Sequence, residues 1–523
     1  MDAETEIAIR RVVVVGGGSA GWITAGLIAA GNARRSDAAV EVTLVESPRV
    51  GTIGVGEGTW PTMRTTLQQL GIPESLFLDA CSATFKQGTR FVDWVTGGDE
   101  DIYYHPFTAP AGYPGDEAAT CWLQECPGLS FTDAVSPQGM ICDRELGPKQ
   151  AQTPEYAGVV NYAYHLDAGK FAALLTGHCT RNLGVRHVQD HITGINSAEN
   201  GDIASLQTAS HGSLEGDLFV DCSGMRSMLL GDHFGVPFID RSDVLFNDTA
   251  LAVQAPYAES GVPIASQTIS TARSAGWIWD IGLVSRRGIG YVYSSRHEND
   301  DHAASTLEDY LRSVGAPSES LQSPRKISFA PGYREHFWHR NCVAVGMSAG
   351  FIEPLEASAL VMVELSARMI VEELPANRST MDIVARRFND RFRYRWDRII
   401  DFLKLHYVLS RRDNSDYWRE NRSRATIPDS LLDLLELWRF RPPGLSDLPQ
   451  VDEIFSAASY QYVLYGMNPE SARTRIRPDQ AKLKRARELL DGNVRMSNQF
   501  LARLPSHRAL LEQIAQQGMS VAG

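Results

Sequence analysis

A run of four valines, Val12–Val15, leads straight into Gly16-Gly17-Gly18-Ser19-Ala20-Gly21. A continuous β-branched run marks a strand buried on both faces, as in a parallel sheet covered by helices. The GxGxxG spacing behind it has three physical demands. Gly16 permits a tight turn, Gly18 lets backbone approach a pyrophosphate, and Gly21 allows close helix–strand packing. Ser19 and Ala20 open the helix, whose free N–H groups and positive dipole end suit phosphate. The pattern predicts a helix over 22–33 and a second strand over 40–46 that ends on Glu46, closing a βαβ unit. Glu46 stands 46 − 21 = 25 positions after Gly21, where an acid accepts hydrogen bonds from a ribose diol. That favours FAD or NAD over NADP.

Two later strands extend the nucleotide reading. One runs over 217–222 and ends in Asp221-Cys222-Ser223-Gly224; the other spans 341–347 and reaches Met347 in a Gly-containing turn. Three nucleotide segments this far apart favour FAD. Residues 51–58 hold four glycines in eight positions, which suggests backbone packed against something flat or bulky. The likeness of these segments to those of FAD-dependent monooxygenases implies candidate FAD contacts at Gly16, Gly18, Ser19, Ala20, Gly21, Glu46, Ile53, Val55, Gly58, Ile192, Asp221, Gly224, Met347 and Leu360. The fold class is α/β, a Rossmann-like FAD-binding domain of the flavin monooxygenase type, with an interleaved β-rich region and a mostly helical C-terminal part. Residues 1–355 form the α/β core, with inserted substrate-side loops at about 95–165, and 356–523 form the helical region across a soft boundary.

Bulk properties narrow the partners. The net charge is −13, with only short basic clusters such as Arg411–Arg412, so nucleic acid is not expected. Seven cysteines, an odd number without a CxxC pair, argue against a disulfide framework and a zinc site. The most apolar stretch, Val12–Ala30, follows acidic Asp2, Glu4 and Glu6 and contains Gly16, Gly17, Gly18 and Gly21, unlike a signal or membrane segment. A soluble, cytoplasmic protein without bound metal is expected.

Five further motifs carry a resemblance. Trp22 follows the glycine loop. Residues 277–282 read Trp-Ile-Trp-Asp-Ile-Gly, and 350–356 read Gly-Phe-Ile-Glu-Pro-Leu-Glu. Phe85-Lys86 follows an apolar helical stretch, and Tyr104-His105-Pro106-Phe107 precedes the loop-rich region. Together these resemble the flavin-dependent tryptophan halogenases. The resemblance implies that reduced FAD, O2 and chloride or bromide generate hypohalous acid. Lys86 then directs it onto the ring as a hydrogen-bond donor or as a haloamine. It assigns Glu356 to the carboxylate beside that lysine, with Glu353 an alternative, and halide to the backbone amides of Ser358 and Ala359. Trp277 and Trp279 would wall the flavin from the substrate. His105 and Phe107 would sandwich an indole-like arene, with Tyr460 and Tyr462 in the C-terminal substrate region. A separate flavin reductase and a homodimer are also implied.

Gly282 stands where the family motif has Pro, and Ala359 where it has Gly. Backbone donors survive the second change. From composition alone Lys86 reads as a surface lysine, Glu356 as a helix-start acid and the paired tryptophans as plain core. A flavin-dependent aromatic hydroxylase, a non-catalytic flavin protein and an inactive halogenase relative remain as alternatives.

Overall fold

The computed structural model describes residues 8–32, 39–49, 56–98, 100–259, 261–317, 323–450, 452–472 and 478–517. The valine run becomes strand Arg11–Val15, at the centre of a six-stranded sheet. Leu218–Asp221 and Glu41–Glu46 flank it in parallel, and Cys342–Ala344 and Arg186–Gln189 extend the parallel set outward. Val12 and Val14 are wholly buried, as a strand covered on both faces requires. The first helix starts earlier than the apolar pattern suggests, at Ser19, and runs to Gly31. Helix Ser358–Glu372 and helix Ala168–Asn182 pack against it.

A seven-stranded, mostly antiparallel sheet forms the second layer. It includes Gly88–Val92, Ile102–Pro106, Thr268–Ala272, Gly276–Gly282 and Arg286–Tyr293. A small sheet of Gly56–Gly58, Ala163–Asp167 and Thr84–Lys86 packs against this second layer. The two meet backbone to backbone: a Cβ added to Gly288 would lie 3.1 Å from the Cα of Gly56. The glycine-rich 51–58 segment thus packs against another strand's backbone at its last residues. Ile53 and Val55 lie outside the described residues.

Residues 61–80 form two helices, Thr62–Leu70 and Glu74–Ala80, broken at Gly71 in the left-handed conformation. One expectation changes: the loop region at about 95–165 carries three short helices, Glu117–Glu125, Phe131–Val135 and Gln138–Asp143. They are stabilised from far along the chain by helix Gln480–Arg503. Lys482 pairs with Asp116 at 2.7 Å, and the Asn493 amide donates to the carbonyls of Asp133 and Ala134 at 2.9 and 3.0 Å. Beyond residue 357 the chain is helical, including the 32-residue helix Arg378–Leu409. Among the described residues no helix is long and apolar enough to cross a membrane.

Candidate active site

The glycine loop forms an open cradle. Gly16 holds φ +118°, and a Cβ there would sit 2.2 Å from the Cys222 carbonyl oxygen. A Cβ on Gly21 would lie 1.8 Å from the Gly16 oxygen, while one on Gly18 meets nothing within 4 Å. Gly18 also N-caps the first helix without any side-chain hydrogen bond, so its first-turn amides stay available. Gly17, an unassigned position of the motif, is needed too: its Cβ would land 1.4 Å from Glu46 Oε2. Glu46 thereby leans over the loop, with Oε1 accepting from or sharing a proton with His187 Nε2 at 2.6 Å. These features fit a dinucleotide pyrophosphate and ribose.

The other assigned contacts surround this loop to different degrees. Gly346, just before Met347, holds φ +76° and abuts Ala20, where a Cβ would approach to 2.9 Å. Gly224, at φ +76°, faces open space. The Asp221 carboxylate points inward. Its Oδ1 accepts from the Ser223 amide and hydroxyl at 3.0 and 2.6 Å, its Oδ2 from the amides of Leu229 and Leu230 at 2.8 and 2.9 Å. Its polar capacity shapes the loop. Ile192 begins the strand Ile192–Ser197 in a separate sheet and is partly exposed; Leu360 is buried in helix Ser358–Glu372.

Lys86 lies in a strand, not at a helix end, and is 1% exposed. Its Nζ would stand 3.1 Å from a Cβ built on Gly58 and lies 5.4 Å from the centre of the Phe107 ring. The ion partners of Glu356 within 4 Å are His105 and His406, so among the described residues Lys86 Nζ makes no close salt bridge to that carboxylate. Burial pushes its pKa down to about 8, against the upward pull of the Glu356 carboxylate. An ammonium with spare donors and a depressed pKa is a poised group.

Glu356 is 4% exposed and occupies the left-handed region at φ 65°, ψ 10°, followed by Ala357 at φ 55°. Two consecutive non-glycine residues there store strain of order 1–2 kcal/mol each. The kink separates the Glu356 side chain from helix Ser358–Glu372, which is N-capped by Ala357 without a side-chain bond. The first amides of that helix, Ser358 and Ala359 among them, have no intrahelical acceptor. Ser358 is buried and Ala359 exposed.

His105 Nδ1 meets Glu356 Oε1 at 2.6 Å, Thr89 Oγ1 donates to Oε2 at 3.1 Å, and His406 Nε2 lies 3.8 Å from Oε1. Burial raises the Glu356 pKa, but the charge and hydrogen bond of His105, with Lys86 beyond it, outweigh that and hold the carboxyl below its usual value. Burial pushes His406 down to about 3, leaving it neutral. Trp60 Nε1 donates to the Glu356 carbonyl at 2.8 Å.

Around this pair stands an aromatic wall. Trp60 lies 5.2 Å from both Phe107 and Phe455; Phe455 stacks on Phe402 at 3.9 Å, and His105 lies 5.5 Å from Phe402. Tyr460 and Tyr462 are fully buried behind it. Tyr460 packs edge-on to Phe402, and the Tyr462 hydroxyl donates to the Thr108 carbonyl at 2.8 Å. Trp277 and Trp279 project from the same face of strand Gly276–Gly282. Trp279 lies flat over Gly290, where a Cβ would come within 2.1 Å of its ring. Gly282, in the motif's proline position, accepts from Thr84 Oγ1 at 2.6 Å through its carbonyl.

The sequence motifs omitted Trp60, Thr89, Phe402, His406 and Phe455. Trp60 alone had a local signal, being next to Gly58. The others come from strands and helices whose convergence is purely tertiary.

A Rossmann cradle, a buried lysine–carboxylate site and an aromatic pocket define a flavin-dependent halogenase that acts with FAD and a halide. The chain belongs to the tryptophan halogenase family, whose model matches residues 11–479. It is 34% identical over 477 residues to tryptophan 6-halogenase SttH of Streptomyces toxytricini, covering 87% of this chain and 89% of that protein. A tryptophan halogenase structure from Shewanella frigidimarina superposes with a TM-score of 0.94 at 46% identity, covering 98% of this chain and 99% of that one. BrvH, a flavin-dependent halogenase from Brevundimonas sp. BAL3, superposes with a TM-score of 0.82 at 32% identity, covering 97% and 99% of the two chains.

Proposed function

We propose that this enzyme halogenates an indole-like aromatic ring, using O2, chloride or bromide, and FAD reduced by a separate flavin reductase. Bound reduced FAD supplies the two electrons that, with O2 and halide, yield hypohalous acid. The chain's own residues do the rest. Gly16, Gly18 and Gly21 cradle the pyrophosphate, and the Ser358 and Ala359 amides bind halide. Lys86 Nζ donates to the hypohalous oxygen and aims the halogen at the ring. Glu356 keeps Lys86 protonated and accepts the proton lost from the ring. Trp60, His105 and Phe107 contact the flat substrate, and Trp277 and Trp279 keep it from the flavin.

The observation that carries this reading is the buried Lys86 amine, its pKa near 8, with spare donors beside Phe107 and Glu356. A hydroxylase has no use for such a group. The test is mass spectrometry of indole incubated with the protein, FAD, NADH, a flavin reductase, O2 and bromide or chloride. A monohalogenated product that disappears in Lys86→Ala supports the proposal. A product heavier by one oxygen, unaffected by that substitution, assigns a hydroxylase. The reading extends to a homodimer, checked by light scattering.

A further inference from the structure

The first acid of the Glu353-Pro-Leu-Glu356 segment takes no part in the Lys86–Glu356 pair. Its side chain is 1% exposed, and one oxygen carries its hydrogen bonds. Glu353 Oε2 accepts from Trp277 Nε1 at 2.6 Å, from the Tyr407 hydroxyl at 2.7 Å and from Asn247 Nδ2 at 2.7 Å. Oε1 has no partner among the described residues. The donors are themselves fixed. Asn247 Nδ2 also reaches the Tyr407 oxygen at 3.1 Å, and Tyr417 donates to Asn247 Oδ1 at 3.0 Å. Lys404 stands behind them, donating to Asn421 Oδ1 at 2.8 Å and the Val244 carbonyl at 3.0 Å.

Trp277 is 2% exposed, and its N–H is its only polar atom. Its aromatic neighbours are edge-on or tilted: Trp279 at 6.4 Å and Trp94 at 6.5 Å. Such contacts fix the ring's volume but only weakly its rotation about Cβ–Cγ. A flip would strand an indole N–H in the core. The direction of the ring is therefore set by the one acceptor that its N–H has.

We propose that Glu353 is a positioning residue that fixes the indole of Trp277, and through it the barrier between flavin and substrate. The barrier's role rests on the function proposed above; the orientation of Trp277 does not. Glu353 ties three elements to one oxygen: the strand carrying Trp277, the helix carrying Tyr407, and the turn leading to Glu356. Burial raises its pKa, opposed by the three donors and by Lys404.

The test uses full-length protein labelled with 5-fluorotryptophan, with the Trp277 and Trp279 resonances assigned by Trp277→Phe and Trp279→Phe. Glu353→Gln keeps an oxygen for the indole N–H and leaves the Trp277 resonance in place. Glu353→Met shifts and broadens it while Trp279 stays put, and Tyr407→Phe moves neither. In turnover, the ratio of halogenated indole to hydrogen peroxide falls at least fivefold in Glu353→Met and in Trp277→Phe. The double variant is no worse than either. Glu353→Asp, which withdraws the carboxylate while keeping its charge, serves if Glu353→Met fails to fold. An unmoved Trp277 resonance in Glu353→Met or Glu353→Asp overturns the proposal, as does a double variant whose ratio falls by the product of the two losses. If wild type yields no halogenated product, the function fails, and the fluorine spectra still decide the orientation.

Discussion

Gly58→Ala probes the lysine from outside its own side chain. The new methyl would lie 3.1 Å from Lys86 Nζ and 3.4 Å from Ala357 Cβ. The second distance is ordinary contact; the first is short of the roughly 3.5–4 Å optimum by about half an ångström. Gly58 is not among the residues with positive φ, so alanine adds no backbone strain. The clash falls on the far end of a flexible chain, which can swing aside. The cost in stability is then below the roughly 1–3 kcal/mol of a typical overpacked core, a shift of about 2 °C or less in a chain this long. Catalysis is more sensitive, since misplacing a reacting group by 1 Å costs about 100-fold. Half that displacement predicts about a tenfold fall in kcat for halogenation. Steady-state turnover with a flavin reductase, FAD titration by fluorescence and thermal unfolding together make the test. An unchanged kcat would refute the claim that the position of Nζ governs the rate. A kcat loss traced wholly to weaker FAD binding would move Gly58 from the lysine pocket to the cofactor site.

On the proposed role of Lys86 as a protonated donor, with burial lowering its pKa to about 8, halogenation should hold below pH 8 and fall about tenfold per unit above it; a rate that climbs through pH 8 would assign the free amine instead. Glu356 raises the Lys86 pKa, so Glu356→Gln should move that falling limb to lower pH as well as reduce kcat at least about 100-fold, both read from a pH–rate profile. Gly18→Ala, whose methyl meets nothing within 4 Å, should leave the melting temperature without FAD unchanged yet weaken FAD binding at least about tenfold in calorimetry. Lys149 and Glu74 form a fully buried pair at 2.6 Å, so Lys149→Met should cost about 3–5 kcal/mol in a denaturant titration even though the Tyr162 and Tyr164 hydroxyls still donate to Glu74.

The βαβ unit was legible because its signals are local. A valine strand, three spaced glycines and a following acid each state their own geometry. The misread elements have their cause elsewhere in the chain. Helices Glu117–Glu125 and Phe131–Val135 are too short to stand alone and are held by helix Gln480–Arg503, some 360 residues away. No periodicity within 100–165 encodes that support. Lys86 was legible as a residue and not as an environment: its burial arises because Gly58, Phe107 and Ala357 come from three other segments. His105 shows the same division. Its motif marked it as a ring beside the substrate, while its bond to Glu356 arises only when strand Ile102–Pro106 meets the kink at Glu356.

The strand that bears Lys86 shows how deeply the remote parts of the chain enter the site. The Phe85 amide, one residue before the lysine, is buried and needs an acceptor. It donates to His507 Nε2 at 2.9 Å, across 422 residues. That bond requires a neutral imidazole with its proton on Nδ1. Burial supplies the first condition, pushing His507 down to about 4. The second is met by the Ile264 carbonyl, 3.3 Å from Nδ1. A charged or absent His507 would leave the Phe85 amide unpaired and loosen a three-residue strand that pairs with a single neighbouring strand, Ala163–Asp167. The lysine is thus placed from three sides: by the missing methyl of Gly58, by the strained turn at Glu356 and Ala357, and by the helix His507–Gln517 that carries the histidine.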